Sequence, residues 1–387
     1  MPAAGRETIL KIIPSLILAC LTGLGCHAPL YAQSSFSDNP EVTQFISDMG
    51  QKYAYDGAAL EAMFASVEPN DTVLTAILPG VSAESRSWQR YRAQFLTDRR
   101  IREGVAFWNQ HPATLAKAEA EFGVPAEIIV AIIGVETEYG RHMGRFNVFR
   151  SLATLAFNYP PRAEFFRGEL EQFLLLTREN GIPPMSVKGS FAGAIGIPQF
   201  MPGSQRRYGV DFDGDGHIDL WHSPDDAIGS VARFLHEHGW QPGAPIAEPL
   251  PGGLYFPPDL TTGSQPRYQG AELAQRGLPI PPAQYDEPLA LIALDTPEMP
   301  DEDWIGHANF YAITRYNHSS FYAMSVFQLG EAVRAAREQP GEGVIGNAAP
   351  AAPSPSGRAS RHRPALGQSQ KKAGHRHPAG NKAKKKH

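Results

Sequence analysis

The length and composition exclude several classes of protein. The chain has 387 residues, of which 42% are hydrophobic and 19% charged, enough apolar material for a substantial core, which argues against wholesale disorder. Glycine and proline are frequent, at 37 and 34 residues, but no glycine repeat occurs, so collagen is excluded and long irregular connections are predicted. The net charge is −5, but its distribution is uneven. From Pro350 onward the chain has ten lysines and arginines and no acidic residue, so a basic tail follows an acidic body.

The N-terminus has the layout of a secretory signal. A basic segment precedes an apolar run over residues 12–24, and small residues follow up to Ala32, which predicts a signal peptide over residues 1–32 and export to the periplasm or cell envelope. The run is shorter than the ~20 apolar residues of a spanning helix, so no transmembrane span is expected in the mature chain. Both cysteines, Cys20 and Cys26, lie in this segment. Processing at a lipidated cysteine, which would give an outer-membrane lipoprotein, is the alternative.

The remaining chain predicts an α+β protein that is mainly α. Helical periodicity covers most of residues 39–239, short apolar runs such as 252–256 and 289–294 predict strands between residues 241 and 300, and a last helix is expected over 321–337. The predicted parts are a signal peptide (1–32), a helical N-terminal domain (36–122), a second helical domain with an acidic loop (123–240), a small β-rich domain (241–303), a C-terminal helical part (304–340) and a disordered basic tail (341–387).

One helix carries a candidate catalytic acid. Residues 125–140 are apolar on nearly every face, which is typical of a buried helix, and Glu136 follows the apolar run just before Gly140, a predicted helix end. Partial burial would raise the pKa of this carboxyl, as a general acid requires. A solvent-facing glutamate at a helix end is the alternative. Glu138 lies two positions further and is expected to point away.

A glycine-rich stretch over residues 188–204 follows. Its glycines allow close approach of a ligand or of a neighbouring helix, and Ser190 and Gln199 offer hydrogen bonds along an apolar wall. A phosphate cradle is disfavoured because no Gly-Lys-Ser/Thr follows. By itself, the stretch fits close helix packing as well as a binding site.

The segment Asp211–Trp221 matches an EF-hand calcium loop, with Asp at positions 1, 3, 5 and 9 and Gly at position 6. His222 replaces the usual glutamate at position 12, so Asp225 or Asp226 is expected to substitute. Asp226 is favoured, although it also fits a helix start capped by Ser223. The predicted ligands of a structural Ca²⁺ are Asp211, Asp213, Asp215, His217 through its backbone carbonyl, and Asp226.

Aromatic residues alternate with amide and hydroxyl side chains over residues 309–322. Such a surface suits a sugar, whose ring face is apolar and whose rim forms hydrogen bonds. Packing of these aromatic residues in the core is the alternative. The aromatic residues within 88–92 are likewise expected either to contact a sugar or to pack in the core.

Together, five motifs resemble the membrane-bound lytic murein transglycosylase B family over residues 39–337: 134–140, 189–194, 198–202, the calcium loop and 314–319. The resemblance implies a goose-lysozyme-like catalytic core and cleavage of the MurNAc-β-1,4-GlcNAc bond of peptidoglycan with 1,6-anhydro ends. It makes Glu136 the sole catalytic acid/base. It also implies that the groove is lined by Tyr91, Arg162, Ser190, Gln199, Tyr316, Asn317 and Tyr322. The segment Asn158–Arg162 departs from the family, because it has proline where a second arginine is usual.

A single carboxyl favours a substrate-assisted mechanism, in which the N-acetyl group of the sugar attacks first. The alternatives are a lysozyme-type hydrolase and a non-catalytic, calcium-dependent wall-binding protein. We expect a monomer whose partner is the peptidoglycan glycan strand, with no nucleic acid. The basic tail is expected either to bind anionic wall polymers or to remain a solvated end.

Overall fold

The computed structural model describes residues 35–78, 87–252, 254–297 and 302–339. The predicted signal peptide and basic tail lie outside these residues. All described residues belong to one compact unit. None of the helices described has both the length and the apolar character needed to cross a membrane.

Helices dominate the described residues, as predicted, and the strands are short. The helices are α1 (Pro40–Tyr53), α2 (Gly57–Ala65), α3 (Asp71–Ala76), α4 (Trp88–Phe95), α5 (Asp98–Gln110), α6 (Pro112–Phe122), α7 (Ala126–Thr137), α8 (Val148–Asn158), α9 (Ala163–Glu179), α10 (Pro202–Tyr208), α11 (Pro224–Glu237), α12 (Gly270–Gln275), α13 (Ala308–Thr314) and α14 (Ser320–Glu338). The strands are β1 (Phe146–Asn147), β2 (Lys188–Gly189), β3 (Ala247–Pro249), β4 (Tyr268–Gln269), β5 (Pro288–Leu294) and β6 (Glu302–Gly306).

Local sequence sets many of the helix ends. The side chain of Asn39 accepts a hydrogen bond from the backbone N–H of Glu41, and a proline occupies the first turn of α1. Gly123 ends α6 with a φ of +70°. The helix predicted over residues 321–337 forms as α14, whose first turn is capped by Ser319.

Two hydrophobic cores hold the helices together. In the first, α7 packs against α5, α6, α11 and α14. This central position explains why α7 is apolar on nearly every face. In the second, α8 and α9 pack against each other and against the N-terminal helices α1 to α3. The apolar residues of both cores are almost fully excluded from solvent.

A four-stranded antiparallel sheet follows the helices in the order β3-β6-β5-β4. The predicted strand at 289–294 is confirmed as β5, and β6 extends to Gly306. The strand predicted at 252–256 is wrong for its described part, since residues 254–256 form no strand and Tyr255 is 76% exposed. Prolines at 251, 257 and 258 flank this segment and cannot donate to a ladder.

A second, smaller ladder pairs β1 with β2, with Phe146 opposite Gly189 and Asn147 opposite Lys188. Gly144, just before β1, has a φ of +94°. A Cβ at this position would lie 2.1 Å from the backbone carbonyl of Gly189. Only glycine therefore allows the chain before β1 to approach β2 so closely.

We expect Gly144→Ala to destabilise the fold severely, because it combines a left-handed backbone with a backbone clash. Gly181 is a matched control, since its φ is +63° and a Cβ added there would have no atom within 4 Å. Gly181→Ala should lower the free energy of unfolding only by the cost of a left-handed backbone at alanine, about 1–2 kcal/mol. Gly144→Ala should lower it by roughly 1–3 kcal/mol more, because of the clash. Urea unfolding of both variants measures the difference, and equal losses would contradict the close packing of β1 and β2.

Candidate active site

Glu136 lies in the last turn of α7 and is only 3% exposed. The hydroxyl of Tyr322 in α14 donates a hydrogen bond of 2.7 Å to its Oε1 atom. The solvent-facing alternative is therefore wrong: the carboxyl is buried against the neighbouring helix.

The chain reverses sharply after Glu136. The helix ends at Thr137, and Glu138, Tyr139 and Gly140 follow with φ values of +48°, +60° and +85°. The predicted stop at Gly140 is thus three residues late. Two non-glycine residues in the left-handed region cost free energy, which the surrounding contacts must offset.

The Tyr139 side chain holds this reversal in place. Its hydroxyl donates to the backbone carbonyl of Arg100 over 2.8 Å. The ring lies against two glycines, and a Cβ at Gly104 or Gly134 would come within 2.6 Å of the tyrosine hydroxyl oxygen. The two glycines therefore provide the space in which the tyrosine fixes the end of α7.

Thr137 connects the same helix end to the glycine-rich stretch. Its buried hydroxyl donates to the carbonyl of Ile197 over 2.9 Å and accepts a hydrogen bond from the backbone N–H of Gly140. This contact holds the turn between Ile195 and Phe200, which carries Gln199, beside the end of α7 and Glu136.

Burial raises the pKa of Glu136 to about 7, and the Tyr322 hydrogen bond partly opposes this shift. Burial removes the water that would stabilise a charged carboxylate, so the carboxyl keeps its proton to a higher pH. The raised pKa keeps Glu136 able to hold a proton closer to neutral pH than an ordinary glutamate, which suits a group that donates and then accepts one proton.

Three tyrosines surround this carboxyl. The rings of Tyr316 and Tyr322 stack with centroids 6.4 Å apart, and the Tyr316 hydroxyl donates to the carbonyl of Pro198. Burial, together with the charge of Glu136, raises the pKa values of Tyr91, Tyr316 and Tyr322. All three phenols are therefore neutral hydrogen-bonding groups.

A cleft of about 920 Å³ opens at this carboxyl. The expected site residues among those that line it are Glu136, Arg162, Ser190, Gln199 and Tyr316. The other three expected groove residues lie outside this lining: Tyr322 and Asn317 are each 1% exposed, and Tyr91 packs against Phe95 and Phe321. The structure thus separates the expected groove residues into a surface group and a group behind it.

Two of the lining side chains have unusual surroundings. Arg162 stacks on Phe165 at 4.4 Å, and both terminal nitrogens of its guanidinium are buried with no hydrogen-bond partner. Gln199 has a φ of +51°, and its Nε2 donates to the carbonyls of Met143 and Gly196. Arg162 is therefore able to donate to an anionic or carbonyl group in the cleft.

The sequence did not reveal an ion-pair network on one wall of the cleft. The expectation that Glu138 points away from Glu136 is wrong: both line the same cleft, because the helix ends before Glu138 and its left-handed backbone redirects the chain. Burial disfavours its charge, but a 2.9 Å hydrogen bond from Arg100 and the neighbouring Arg99 hold its pKa below the ordinary value. Arg141 also pairs with it. No local sequence pattern predicts a pair that is 38 residues apart.

The acidic loop gathers three carboxylates. The ligand atoms of Asp211, Asp213 and Asp226 all lie within 4.8 Å of one another. Burial raises the pKa of Asp226, and the charge of Asp213 adds to this shift. Clustered oxygen donors of this kind fit a hard divalent cation such as Ca²⁺.

The other expected ligands are arranged differently. Asp215 accepts a hydrogen bond from the backbone of His217 and does not belong to the three-carboxylate cluster. His217 itself is exposed. Asp225 contacts His111 over 3.0 Å, which leaves Asp226 as the carboxylate at the cluster. His222, in place of the usual glutamate, contacts Asp219.

We expect Glu136→Gln to stabilise the protein at alkaline pH. Between the ordinary pKa of about 4.5 and the raised value of about 7, the folded chain keeps a proton that the unfolded chain releases, so stability falls as pH rises through this window. Glutamine removes this cost while still accepting from Tyr322. Urea unfolding should give a gain of up to roughly 3 kcal/mol at pH 8 and little gain at pH 4. An equal gain at both pH values would contradict the burial argument.

Known proteins resemble this chain over most of its length. The family model described as "Transglycosylase SLT domain" matches residues 37–331. The chain is 45% identical to membrane-bound lytic murein transglycosylase B of Escherichia coli strain K12 over 323 residues, which cover 81% of this chain and 88% of that protein.

Two solved structures are also similar. The Escherichia coli lytic transglycosylase SLT35 in complex with calcium matches at 45% identity and a TM-score of 0.72, covering 81% of this chain and 98% of that one. SltB3 from Pseudomonas aeruginosa in complex with NAG-NAM-pentapeptide matches at 31% identity and a TM-score of 0.67, covering 82% of each chain. The chain belongs to the SLT-domain family of lytic transglycosylases.

Proposed function

We propose that this lytic murein transglycosylase cleaves the MurNAc-β-1,4-GlcNAc bond of peptidoglycan with Glu136 as its only acid/base. The observation that carries the proposal is the buried Glu136 carboxyl, with its pKa raised to about 7 and one hydrogen bond from Tyr322. Two of the relatives named above are lytic transglycosylases, and the one from Escherichia coli strain K12 is a murein transglycosylase, which supports peptidoglycan as the substrate.

In the first step, the protonated Glu136 donates its proton to the glycosidic oxygen, and the bond to the anomeric carbon breaks. The carbonyl oxygen of the sugar's own N-acetyl group attacks that carbon and forms an oxazolinium ion. Glu136 is left as a carboxylate, and the Tyr322 hydroxyl, which already donates to it, stabilises the new charge.

In the second step, the Glu136 carboxylate removes the proton from the 6-hydroxyl of the same ring. The oxygen attacks the anomeric carbon, the oxazolinium opens, and a 1,6-anhydro sugar forms. The proton from the first step leaves on the hydroxyl of the departing sugar, and the proton of the 6-hydroxyl restores Glu136 to its acid form, so the cycle balances. Because the nucleophile is tethered to the substrate, its effective concentration exceeds that of most external nucleophiles.

The second carboxylate of the cleft does not suit a two-carboxylate mechanism. Glu138 is held as an anion by Arg100, Arg99 and Arg141. A nucleophile in a retaining glycosidase must be free to bond to the anomeric carbon. The arginine contacts of Glu138 occupy both of its oxygens, which supports attack by the substrate's own acetamido group.

The groove residues divide into two proposed roles. Arg162, Ser190, Gln199 and Tyr316 line the cleft and would contact the glycan or its substituents. Tyr91, Asn317 and Tyr322 lie behind that surface, and Tyr322 positions the carboxyl. The solved structure of SltB3 contains NAG-NAM-pentapeptide, which supports entry of a peptide-bearing glycan into this cleft.

The decisive measurement is a mass spectrum of the muropeptides released from purified sacculi. A transglycosylase releases anhydro products that are lighter by one water than those of a hydrolase. We expect anhydro products from the wild type and a rate loss of roughly 10²–10⁴-fold for Glu136→Gln, since general acid-base catalysis contributes that much.

Hydrated products would replace the proposal with a lysozyme-type hydrolase. Unchanged lysis by Glu136→Gln would show that another group donates the proton. Glu127→Gln is a matched control, because Glu127 lies at the other end of α7 and should leave the rate unchanged.

We also propose that the acidic loop binds a structural Ca²⁺ through Asp211, Asp213 and Asp226, with Asp215 and the carbonyl of His217 as further ligands. The clustered carboxylates and the calcium complex of SLT35 support this proposal. A cation here would neutralise the repulsion between the carboxylates and connect the loop to the start of α11, remote from bond cleavage.

Calcium titration followed by thermal unfolding tests this site. At a calcium concentration of 100 times the Kd, the stability gain should be about 2.7 kcal/mol. Asp213→Asn should lose most of this gain, whereas Asp225→Asn, which alters the contact with His111, should keep it. A calcium-independent melting temperature in the wild type would contradict the proposal.

We also propose that the protein is located in the cell envelope. The relative in Escherichia coli is named a membrane-bound enzyme, and the substrate of such an enzyme lies outside the cytoplasm. The predicted signal peptide over residues 1–32 accounts for export.

A further inference from the structure

Glu169 of α9 is a partly buried carboxylate that the proposed mechanism does not use. Its Oε2 atom accepts a hydrogen bond of 2.8 Å from the backbone N–H of Gly203 in α10. Burial raises the pKa of this carboxyl, and the Gly203 N–H and the charge of Arg162 oppose the shift. Both of these groups therefore favour the carboxylate form.

The hydrogen bond from Gly203 replaces a cap that α10 lacks. Met201 precedes the helix without a capping hydrogen bond from its side chain, and Pro202 at the first position has no N–H to donate. The N–H of Gly203 is therefore the first free donor of α10, and a side chain from another helix satisfies it. A Cβ at Gly203 would lie 3.1 Å from the Oε1 atom of Glu169, so glycine leaves room for this approach.

The same carboxylate lies close to the stacked guanidinium of Arg162. Phe166 and Glu169 are three positions apart on one face of α9. The Arg162 guanidinium lies 5.3 Å from the centre of the Phe166 ring, and both of its terminal nitrogens are buried without a hydrogen-bond partner. Burial lowers the pKa of Arg162, and the charge of Glu169 is among the influences that oppose this shift. Glu169 therefore attracts the guanidinium toward α9.

Glu169 is connected in this way to two groups that can contact a substrate. Arg162 and Met201 line the cleft, whereas Glu169 lies outside its lining. The proton donor Glu136 lies on a different helix, α7, and is fixed there by Tyr322. A change at Glu169 should therefore alter the binding surface and leave the proton donor in place.

Building on the proposed function, we propose that Glu169 is a positioning residue of the glycan-binding wall, which holds Met201 and Arg162 where they contact the substrate. The hydrogen bond from Gly203 fixes the start of α10 and with it the place of Met201. The charge of the carboxylate holds the Arg162 guanidinium against the start of α9. Glu169 itself touches neither the glycan nor the reacting atoms.

The test measures binding and turnover separately, with a soluble tetrasaccharide of alternating GlcNAc and MurNAc. Isothermal titration calorimetry gives its Kd for the full chain carrying Glu136→Gln, in which turnover does not interfere, and kcat is measured with Glu136 intact. We expect Glu169→Ala to raise the Kd roughly tenfold, as the loss of one hydrogen bond to a charged group predicts. The kcat should change by less than about twofold, because α7 is untouched.

Glu169→Gln separates the two connections. Glutamine still accepts a hydrogen bond from Gly203 but carries no charge, so we expect a Kd raised only about threefold. This loss should disappear when both chains compared also carry Arg162→Gln, since the charge then has no guanidinium to hold. Because the hydrogen bond is kept, this variant also carries the test if Glu169→Ala does not fold.

Glu171→Ala is a matched control. Glu171 lies on the same helix and accepts a hydrogen bond of 2.7 Å from the hydroxyl of Tyr53 in α1. Its removal therefore also takes a carboxylate hydrogen bond from α9, but at a contact with α1, and the Kd should stay within about twofold. Urea unfolding of each variant measures the structural cost and confirms that the chain is folded.

Three outcomes overturn the inference. They are an unchanged Kd in folded Glu169→Ala or Glu169→Gln, equal losses of affinity in Glu169→Ala and Glu171→Ala, and a loss in Glu169→Gln that persists beside Arg162→Gln. The proposed function fails separately, through hydrated muropeptides from sacculi, and that result would leave the Kd values of these variants unaffected.

Discussion

The candidate active site depends on one hydrogen-bonded carboxyl, that of Glu136, buried at the end of an apolar helix. An apolar helix is stable only inside a core, and α7 is surrounded by α5, α6, α11 and α14. Its last turn consequently places a carboxyl where it is only 3% exposed. Burial raises the pKa of Glu136 to about 7, and the Tyr322 hydroxyl limits the shift and fixes the orientation.

This arrangement costs stability as pH rises above the ordinary pKa of a glutamate. A carboxyl that resists ionisation destabilises the folded state as pH rises, and the left-handed residues Glu138 and Tyr139 add backbone strain. The apolar contacts of α7 and the Tyr139 hydrogen bond to Arg100 offset these costs. Glu136 lines the cleft just before this strained reversal, while the helix behind it stays buried.

The same reversal separates the two carboxylates of the cleft by their surroundings. Glu136 has a tyrosine as its hydrogen-bond partner and a raised pKa, whereas Glu138 has arginines and a lowered one. Environments that push two pKa values apart assign different roles to chemically identical groups. Glu136 is suited to proton transfer, and Glu138 connects α5 to the end of α7 through Arg100.

The sequence alone predicted a mainly helical α+β chain and the last helix over residues 321–337, which the structure extends by one residue at each end as α14, because helical periodicity is a local signal. An apolar run that ends in one carboxylate made Glu136 the candidate acid. The sequence misplaced the strand at 252–256, where flanking prolines outweigh the apolar pattern. Only the tertiary structure decided that Tyr322 is buried against Glu136, that Arg100 pairs with Glu138, and that Asp226 rather than Asp225 joins the carboxylate cluster. Each of these contacts joins separate elements, and the packing of helices, which no local pattern encodes, determines which side chains meet.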